Sequence, residues 1–321
     1  MDTLSQKKKK RMNVDFNNPF PPYPKEIFFD ITSICNHRCF FCSNTKLKKN
    51  YFMDKHLAFR LFEELNENGV KDIALYATGE PFLHKDLAEM TDKAKKIGIQ
   101  YVFISTNGSL ATPERSRPVL DAGIDSIKFS INAGTKESYI NIHGKDHFDR
   151  VISNIKWFSD YRSKSNLKYK IYVSMVETKE TKGQHLFLEK NLSPYIDEFD
   201  IRGCSNQGGN MYENNEKENI NKNNLLGSLK ESQFCNKCPD IFNRLTVTPE
   251  GYASACCVDY QNYLILGDLN TMTIKEIWHS ERTVNFRKRH ISNNLKGLIC
   301  YNCLNNLNEN CYPLTSKYAR K

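Results

Sequence analysis

The sequence predicts an α/β fold: a partial (β/α)6 TIM-like barrel followed by a small cysteine-rich domain of β-hairpin and helix. Three observations lead there. Glycines recur where a helical pattern gives way to an apolar run: Gly69 before 70–76, Gly98 before 99–104 and Gly123 before 124–131. Each closes a helix and opens a strand, the alternation that builds a parallel sheet. A first apolar run, 26–31, leads into three closely spaced cysteines, Cys35, Cys39 and Cys42. Near the other end, cysteines pair again as Cys235/Cys238 and Cys300/Cys303 around a hairpin signal at Pro249-Glu250-Gly251.

Composition narrows the class. A chain of 321 residues accommodates one large α/β domain plus a smaller one. Nothing approaches the roughly 18 consecutive apolar residues of a membrane helix, and the N-terminus lacks an apolar signal core, so a cytoplasmic protein without membrane partners is expected. Eleven cysteines in such a chain argue for thiolate–metal chemistry over a disulfide framework. The net charge of +9 suggests nucleic acid at first sight. Five of those charges, however, are Lys7-Lys8-Lys9-Lys10-Arg11 in a tail. A basic tail reads as solvated chain, and nucleic-acid binding is not expected.

In chain order, residues 1–23 form the basic, proline-rich tail, and 24–205 the barrel. Asp54 caps a helix carrying Leu57, Ala58, Leu61, Phe62 and Leu65 at helical spacing. Two further strands are predicted at 169–176 and 198–202, making six. Residues 206–233 are rich in Asn, Glu and Lys and read as a polar linker; 234–321 form the second domain.

The C-x3-C-x2-C loop after a first strand resembles that of the radical S-adenosylmethionine (SAM) enzymes. Three thiolates leave one iron of a four-iron cluster open, where Fe–S clusters held wholly by protein take four. The resemblance covers about residues 24–205 and implies a 4Fe–4S cluster on Cys35, Cys39 and Cys42, whose open iron SAM chelates before reductive cleavage to a 5′-deoxyadenosyl radical. Phe41 stands where the family carries an aromatic near the adenine. Ala77-Thr78-Gly79-Glu80-Pro81 resembles the family's glycine-glycine-glutamate-proline motif with Thr78 for the first glycine, so Gly79 and Glu80 are expected to contact SAM, Glu80 receiving its ammonium. Ser105 and Asn107 in Ser105-Thr106-Asn107-Gly108, and Ser130 on the fourth strand, are the other expected SAM contacts. Asn132 departs from the family's aspartate, and Ser174 is a weaker candidate. His143 reads as a solvated surface histidine, and His37 and Arg38 need no chemical role.

The C-terminal cysteines resemble the SPASM domain appended to many radical SAM enzymes, in its one-cluster Twitch form. That resemblance implies an auxiliary 4Fe–4S cluster on Cys238, Cys256, Cys300 and Cys303. Cys235 is an alternative to Cys238; Cys257 should face away from Cys256 on one strand; Cys204 and Cys311 stay unassigned. Two C-x2-C pairs flanking a hairpin also fit a zinc ribbon. The implied function is oxidation of a small polar substrate of sugar or aminocyclitol type, held in a barrel mouth covered by the second domain. The electron comes from a flavodoxin- or ferredoxin-like donor. The short segment before the first strand lacks room for a peptide-recognition module, which disfavours, without removing, a peptide-modifying maturase. From another class, a non-catalytic Fe–S or zinc redox sensor or scaffold remains open.

Overall fold

The computed structural model describes residues 3–4, 6–7, 10, 13–47, 50–211 and 237–320. Cys235 and most of the predicted linker, together with Lys8, Lys9 and Arg11 of the tail, lie outside the described residues. Six parallel strands run in sequence order across one sheet: β1 (Glu26–Phe29), β2 (Asp72–Ala74), β3 (Tyr101–Thr106), β4 (Ser126–Ser130), β5 (Lys170–Glu177) and β6 (Glu198–Gly203). The helices between them are α1 (Lys55–Glu67), α2 (Leu87–Ile97), α3 (Pro113–Asp121), α4 (Lys136–His143), α5 (Phe148–Ser165) and α6 (His185–Leu192).

The local chemistry explains the repeat. Asp54 caps α1 by accepting from the backbone amides of His56 and Leu57, and Ala58, Leu61, Phe62 and Leu65 are its buried face. At the end of α2, Gly98 takes φ 112°, a left-handed cap that a side chain would strain. Strand β1 is buried along its whole length, as parallel strands covered on both faces are. Its Phe29 meets Phe62 of α1 at 4.9 Å between ring centroids. The core runs unbroken from the barrel into the C-terminal third, where Trp278 and Ile277 are fully buried.

That continuity corrects one expectation. The second domain does not fold on a sheet of its own; it lengthens the barrel's sheet. Strand β7 (Arg244–Val247) pairs in parallel with β1, Glu26 opposite Arg244 and Phe29 opposite Val247. Antiparallel β8 (Tyr252–Ser254) and β9 (Ile265–Asp268) follow, giving the order β6-β5-β4-β3-β2-β1-β7-β8-β9. The predicted hairpin is present, and β9 adds a strand that the sequence reading did not place. The physical reason for the seam is β1's otherwise unpaired edge, a row of donors and acceptors that must be satisfied when buried. Arg244 locks it with buried contacts to Glu26 at 2.8 Å and Asp240 at 3.0 Å, its guanidinium 4.5 Å from the Phe28 ring centroid. Of the C-terminal helices, α7 (Asp240–Asn243) packs on β7, α8 (Ile274–His279) on β9, α9 (Glu281–Ile291) on α8, and α10 (Ile299–Asn305) on the Gln207–Gly209 turn.

Candidate functional site: two cysteine centres on one sheet

The chain leaves β1 through Asp30, whose backbone amide donates to Val247 at 2.8 Å, so the three-cysteine loop starts from the seam between the two domains. Residues 37–40 lie on the end of α4, with the amides of Arg38 and Phe40 donating to the carbonyls of His143 and Ile142. A turn from Cys42 N to Cys39 O, 3.0 Å, folds the thiols together. They are half-buried, and desolvation pushes them up: Cys39 well above the usual thiol range with help from the Cys42 and Cys35 charges, Cys42 above it, and Cys35 to about 12 through burial and then the Glu80 charge. Three crowded, desolvated thiols titrate together only when a cation joins them, so this donor set fits a metal cluster bound as thiolates.

The Gly79 turn closes on this loop. Glu80 N donates to Ile34 O at 2.8 Å, and a Cβ on Gly79 would lie 2.2 Å from Thr32 O. Glycine is required there by close approach of backbone to backbone. Thr78 has its own purpose in place of the family's glycine. Its amide and hydroxyl donate to the two carboxylate oxygens of buried Asp30, at 2.9 and 2.5 Å. Burial raises Asp30 to about 6 against those hydrogen bonds.

Glu80 is turned inward. Its carboxylate accepts from Thr106 Oγ1 (2.6 Å), Asn107 N (2.7 Å) and Phe82 N (3.1 Å), while burial lifts its pKa to about 7. In this arrangement it ties the β2 turn to the end of β3. Asn107 is thereby fixed: its Nδ2 donates to Asn36 Oδ1 at 2.8 Å and stands 3.9 Å from Cys35 Sγ. Ser105, Ser130 and Ser174 form a row across β3, β4 and β5, adjacent hydroxyls 3.4 Å apart. Asn132 sits at φ 59°, a left-handed position that asparagine tolerates, and its Oδ1 accepts from Val176 N at 2.8 Å. Its departure from aspartate therefore has a structural use. Phe41 is half-buried, its ring edge-on to Phe40 at 5.3 Å.

Four features escaped the sequence reading. His143 is buried, not solvated: it stacks on Tyr139 at 4.1 Å and places Nδ1 3.2 Å from both Cys39 Sγ and His37 Nδ1. His37 continues to His147 at 3.0 Å, and the ligating atoms of His37, Cys39 and His143 lie within 4.8 Å of one another. The histidines come from α4 and the loop before α5, a juxtaposition that no local spacing announces. Second, Tyr260 reaches from the C-terminal domain to place its hydroxyl 3.6 Å from Cys42 Sγ. Third, residues 206–211, predicted as linker, belong to the fold. Gln207 donates to Phe41 O (2.9 Å) and accepts from Ser43 N (3.0 Å), while Asn206 donates to Asn302 O (2.8 Å) on α10. This short segment joins the first cysteine loop to the helix of Cys300 and Cys303.

The fourth feature corrects the reading of Cys257. Cys256 and Cys257 follow β8 rather than lying on it, so strand alternation does not separate them, and they lie close enough to push each other's thiols apart in pKa, Cys256 upward and Cys257 downward. The second centre is a cavity of about 160 Å³ lined by Cys238, Cys256, Cys300 and Cys303, with Cys303 at its exposed rim. Burial pushes Cys238 and Cys300 up, as at the first centre. Four thiols around one void fit a fully ligated cluster. Cys204 is buried, and Cys311 accepts from Asn302 Nδ2 at 3.1 Å.

An open α/β barrel with three thiols at the carboxyl end of β1, and four more around a cavity beside the same sheet, defines a class of iron–sulfur protein. Residues 29–186 match the Radical SAM superfamily and residues 235–304 the iron-sulfur cluster-binding domain SPASM; the chain belongs to the radical SAM superfamily and carries a SPASM-type domain. Its cofactors are accordingly SAM with a 4Fe–4S cluster, and auxiliary Fe–S in the C-terminal domain. Among curated relatives it is 33% identical over 133 residues to a probable GTP 3',8-cyclase of Saccharolobus islandicus, 41% of this chain and 42% of that one. The match thus spans about two fifths of the relative's length. Among solved structures, BtrN in complex with AdoMet and 2-DOIA superimposes with TM-score 0.58 at 20% identity, covering 91% of this chain and 97% of BtrN. Streptococcus suis SuiB bound to precursor peptide SuiA gives 0.63 at 16% identity, covering 88% and 69%. Among the described residues no helix is long and apolar enough to cross a membrane.

Proposed function

We propose that this chain is a radical SAM oxidoreductase acting on a small polar substrate of sugar or aminocyclitol type. The observation that carries the reading is the pairing of one three-thiol loop with one four-thiol cavity on a single sheet. Residues 24–205 supply the barrel and 234–321 the auxiliary domain. When bound, SAM and its cluster would supply a 5′-deoxyadenosyl radical for hydrogen abstraction, and the auxiliary cluster would supply a one-electron acceptor for a net oxidation. The chain's residues do the rest. Cys35, Cys39 and Cys42 hold the first cluster, and Asn107, fixed by Glu80 beside Cys35, is the side chain we assign to contact SAM. Ser105 and Ser130 offer hydroxyls toward SAM's ribose or carboxylate, Gly79 keeps the turn close to the loop, and Phe41 flanks the adenine. Cys238, Cys256, Cys300 and Cys303 hold the auxiliary cluster, and a flavodoxin- or ferredoxin-like donor supplies electrons. Coverage of nearly the whole BtrN chain supports a small substrate; the likeness to SuiB supports the competing class, a peptide.

A second reading has its own observation. His37, Cys39 and His143 can hold one divalent ion, which would make the loop a non-catalytic metal site. Anaerobic reconstitution separates the two. About eight irons, a SAM-perturbed EPR signal and 5′-deoxyadenosine after dithionite reduction are expected. A protein that carries zinc at the loop and forms no 5′-deoxyadenosine overturns the proposal. Substrate class is then read by transfer of substrate deuterium into 5′-deoxyadenosine, comparing deuterated sugars and aminocyclitols with peptides.

A further inference from the structure

His290 lies in the last turn of α9, on the wall of the cavity shared by Cys238, Cys256, Cys300 and Cys303. Only 3% of its surface is exposed, and among the described residues neither ring nitrogen has a hydrogen-bond partner. The other deeply buried histidines are satisfied. His84 pairs with Met53 O and Asp86 N, His143 with Ile131 O, and His37 with His143 and His147. A buried imidazole left without partners is unfavourable, and native proteins rarely tolerate one unless a ligand completes it. Around His290 the edge of Phe286, at 4.9 Å, blocks one approach, and the remaining cavity lining is largely apolar apart from the four thiols. Burial keeps the ring neutral, so it carries a single N–H.

We propose that His290 donates this N–H to a sulfur of the auxiliary cluster, sulfide or ligand thiolate, and thereby sets the cluster's reduction potential. The inference rests on the proposed auxiliary cluster. The four cysteines complete the cluster's ligation, which leaves the histidine the role of donor. A hydrogen bond to cluster sulfur stabilises the more negative, reduced state, so it raises the potential and makes the cluster a better electron acceptor. His290 is accordingly a positioning and tuning residue, outside the reacting atoms.

The test uses the reconstituted full chain, with Cys35, Cys39 and Cys42 replaced by alanine so that only the auxiliary signal is read. Potentiometric EPR titration compares wild-type His290 with His290→Phe and His290→Gln. His290→Phe should retain its iron and shift the reduction equilibrium at least tenfold toward the oxidised form, about 59 mV lower for one electron, with His290→Gln recovering part of the shift. ¹⁵N-histidine labelling of the same triple-alanine protein with His290 intact needs no replacement of the histidine, and should give a weak nitrogen hyperfine coupling in the reduced auxiliary cluster. An iron-loaded site with unchanged potential and no nitrogen coupling overturns this inference alone. Loss of the auxiliary iron in folded His290→Phe and His290→Gln would make His290 a ligand and overturn its assignment as donor. A C-terminal site that takes up no iron with His290 intact overturns the functional reading as well.

Discussion

Replacing Gly79 with alanine tests how the turn after β2 is fitted to the cysteine loop. The added Cβ would lie 2.2 Å from Thr32 O, 2.5 Å from Ile34 O and 2.9 Å from Ile34 N, all main-chain atoms of that loop. No rotamer change relieves such contacts. Either the turn or the loop moves, and the 2.8 Å hydrogen bond from Glu80 N to Ile34 O is lost with it. Overpacking of this kind costs about 1–3 kcal/mol and the hydrogen bond about 1 kcal/mol more, so a destabilisation of about 2–4 kcal/mol is expected. Urea unfolding of the cluster-free protein measures it, and iron uptake on reconstitution reports the displaced loop. Gly69→Ala is the matched control. Its φ of +75° makes alanine strained, by about 1–2 kcal/mol, but nothing lies within 4 Å of the new Cβ, and iron uptake should be unaffected. Gly79→Ala with the stability and iron content of the parent would refute the close-packed reading of this turn.

Two further outcomes follow from the same interior. Asp30 and Glu80 are raised by burial to about 6 and about 7, so the folded state binds their protons more tightly than the unfolded chain. Their stabilisation is full below about pH 4 and lost as pH rises through the folded values, on the order of 3 kcal/mol each. Buried His37 and His143, pushed down to about 3 and about 4, act in the opposite sense over the same range, so the difference between variant and parent is the quantity to read. Asp30→Asn and Glu80→Gln should gain stability relative to the parent between pH 4 and 7 in urea midpoints; a flat difference rejects the shifted values. At the second centre, Cys256→Ala should lower the iron of reconstituted protein from about eight to about four, whereas Cys257→Ala should retain it. Equal losses in both would place Cys257 among the ligands.

The barrel was legible because its signals are local: a glycine after each helical run, an apolar strand after each glycine, a loop with three cysteines. What stayed hidden was what long-range contact decides. His143 beside Gly144 and Lys145 carries the local pattern of a surface turn, yet α4 delivers it against Cys39. Gln207 sits in a polar stretch that reads as linker, and only its pairing with Phe41 and Ser43 makes it part of the loop's support. Likewise β7 looks like the first arm of a self-contained hairpin. Nothing in its alternation says that its other edge belongs to β1, because pairing partners distant in sequence leave no periodic trace.

The parallel seam of β1 and β7 also governs when the molecule becomes complete during synthesis. Glu26 and Arg244, and likewise Cys42 and Tyr260, are 218 residues apart in the chain. On the ribosome, β1 and its thiol loop emerge early and wait, at 5–20 residues per second, for the strand that will shield them. During that interval of about 10–40 s the Cys42 side lacks its tyrosine, and β1 presents a bare edge to any passing strand. The delay is at once a hazard, inviting misassembly, and an opening through which iron and sulfide can be delivered before the wall closes.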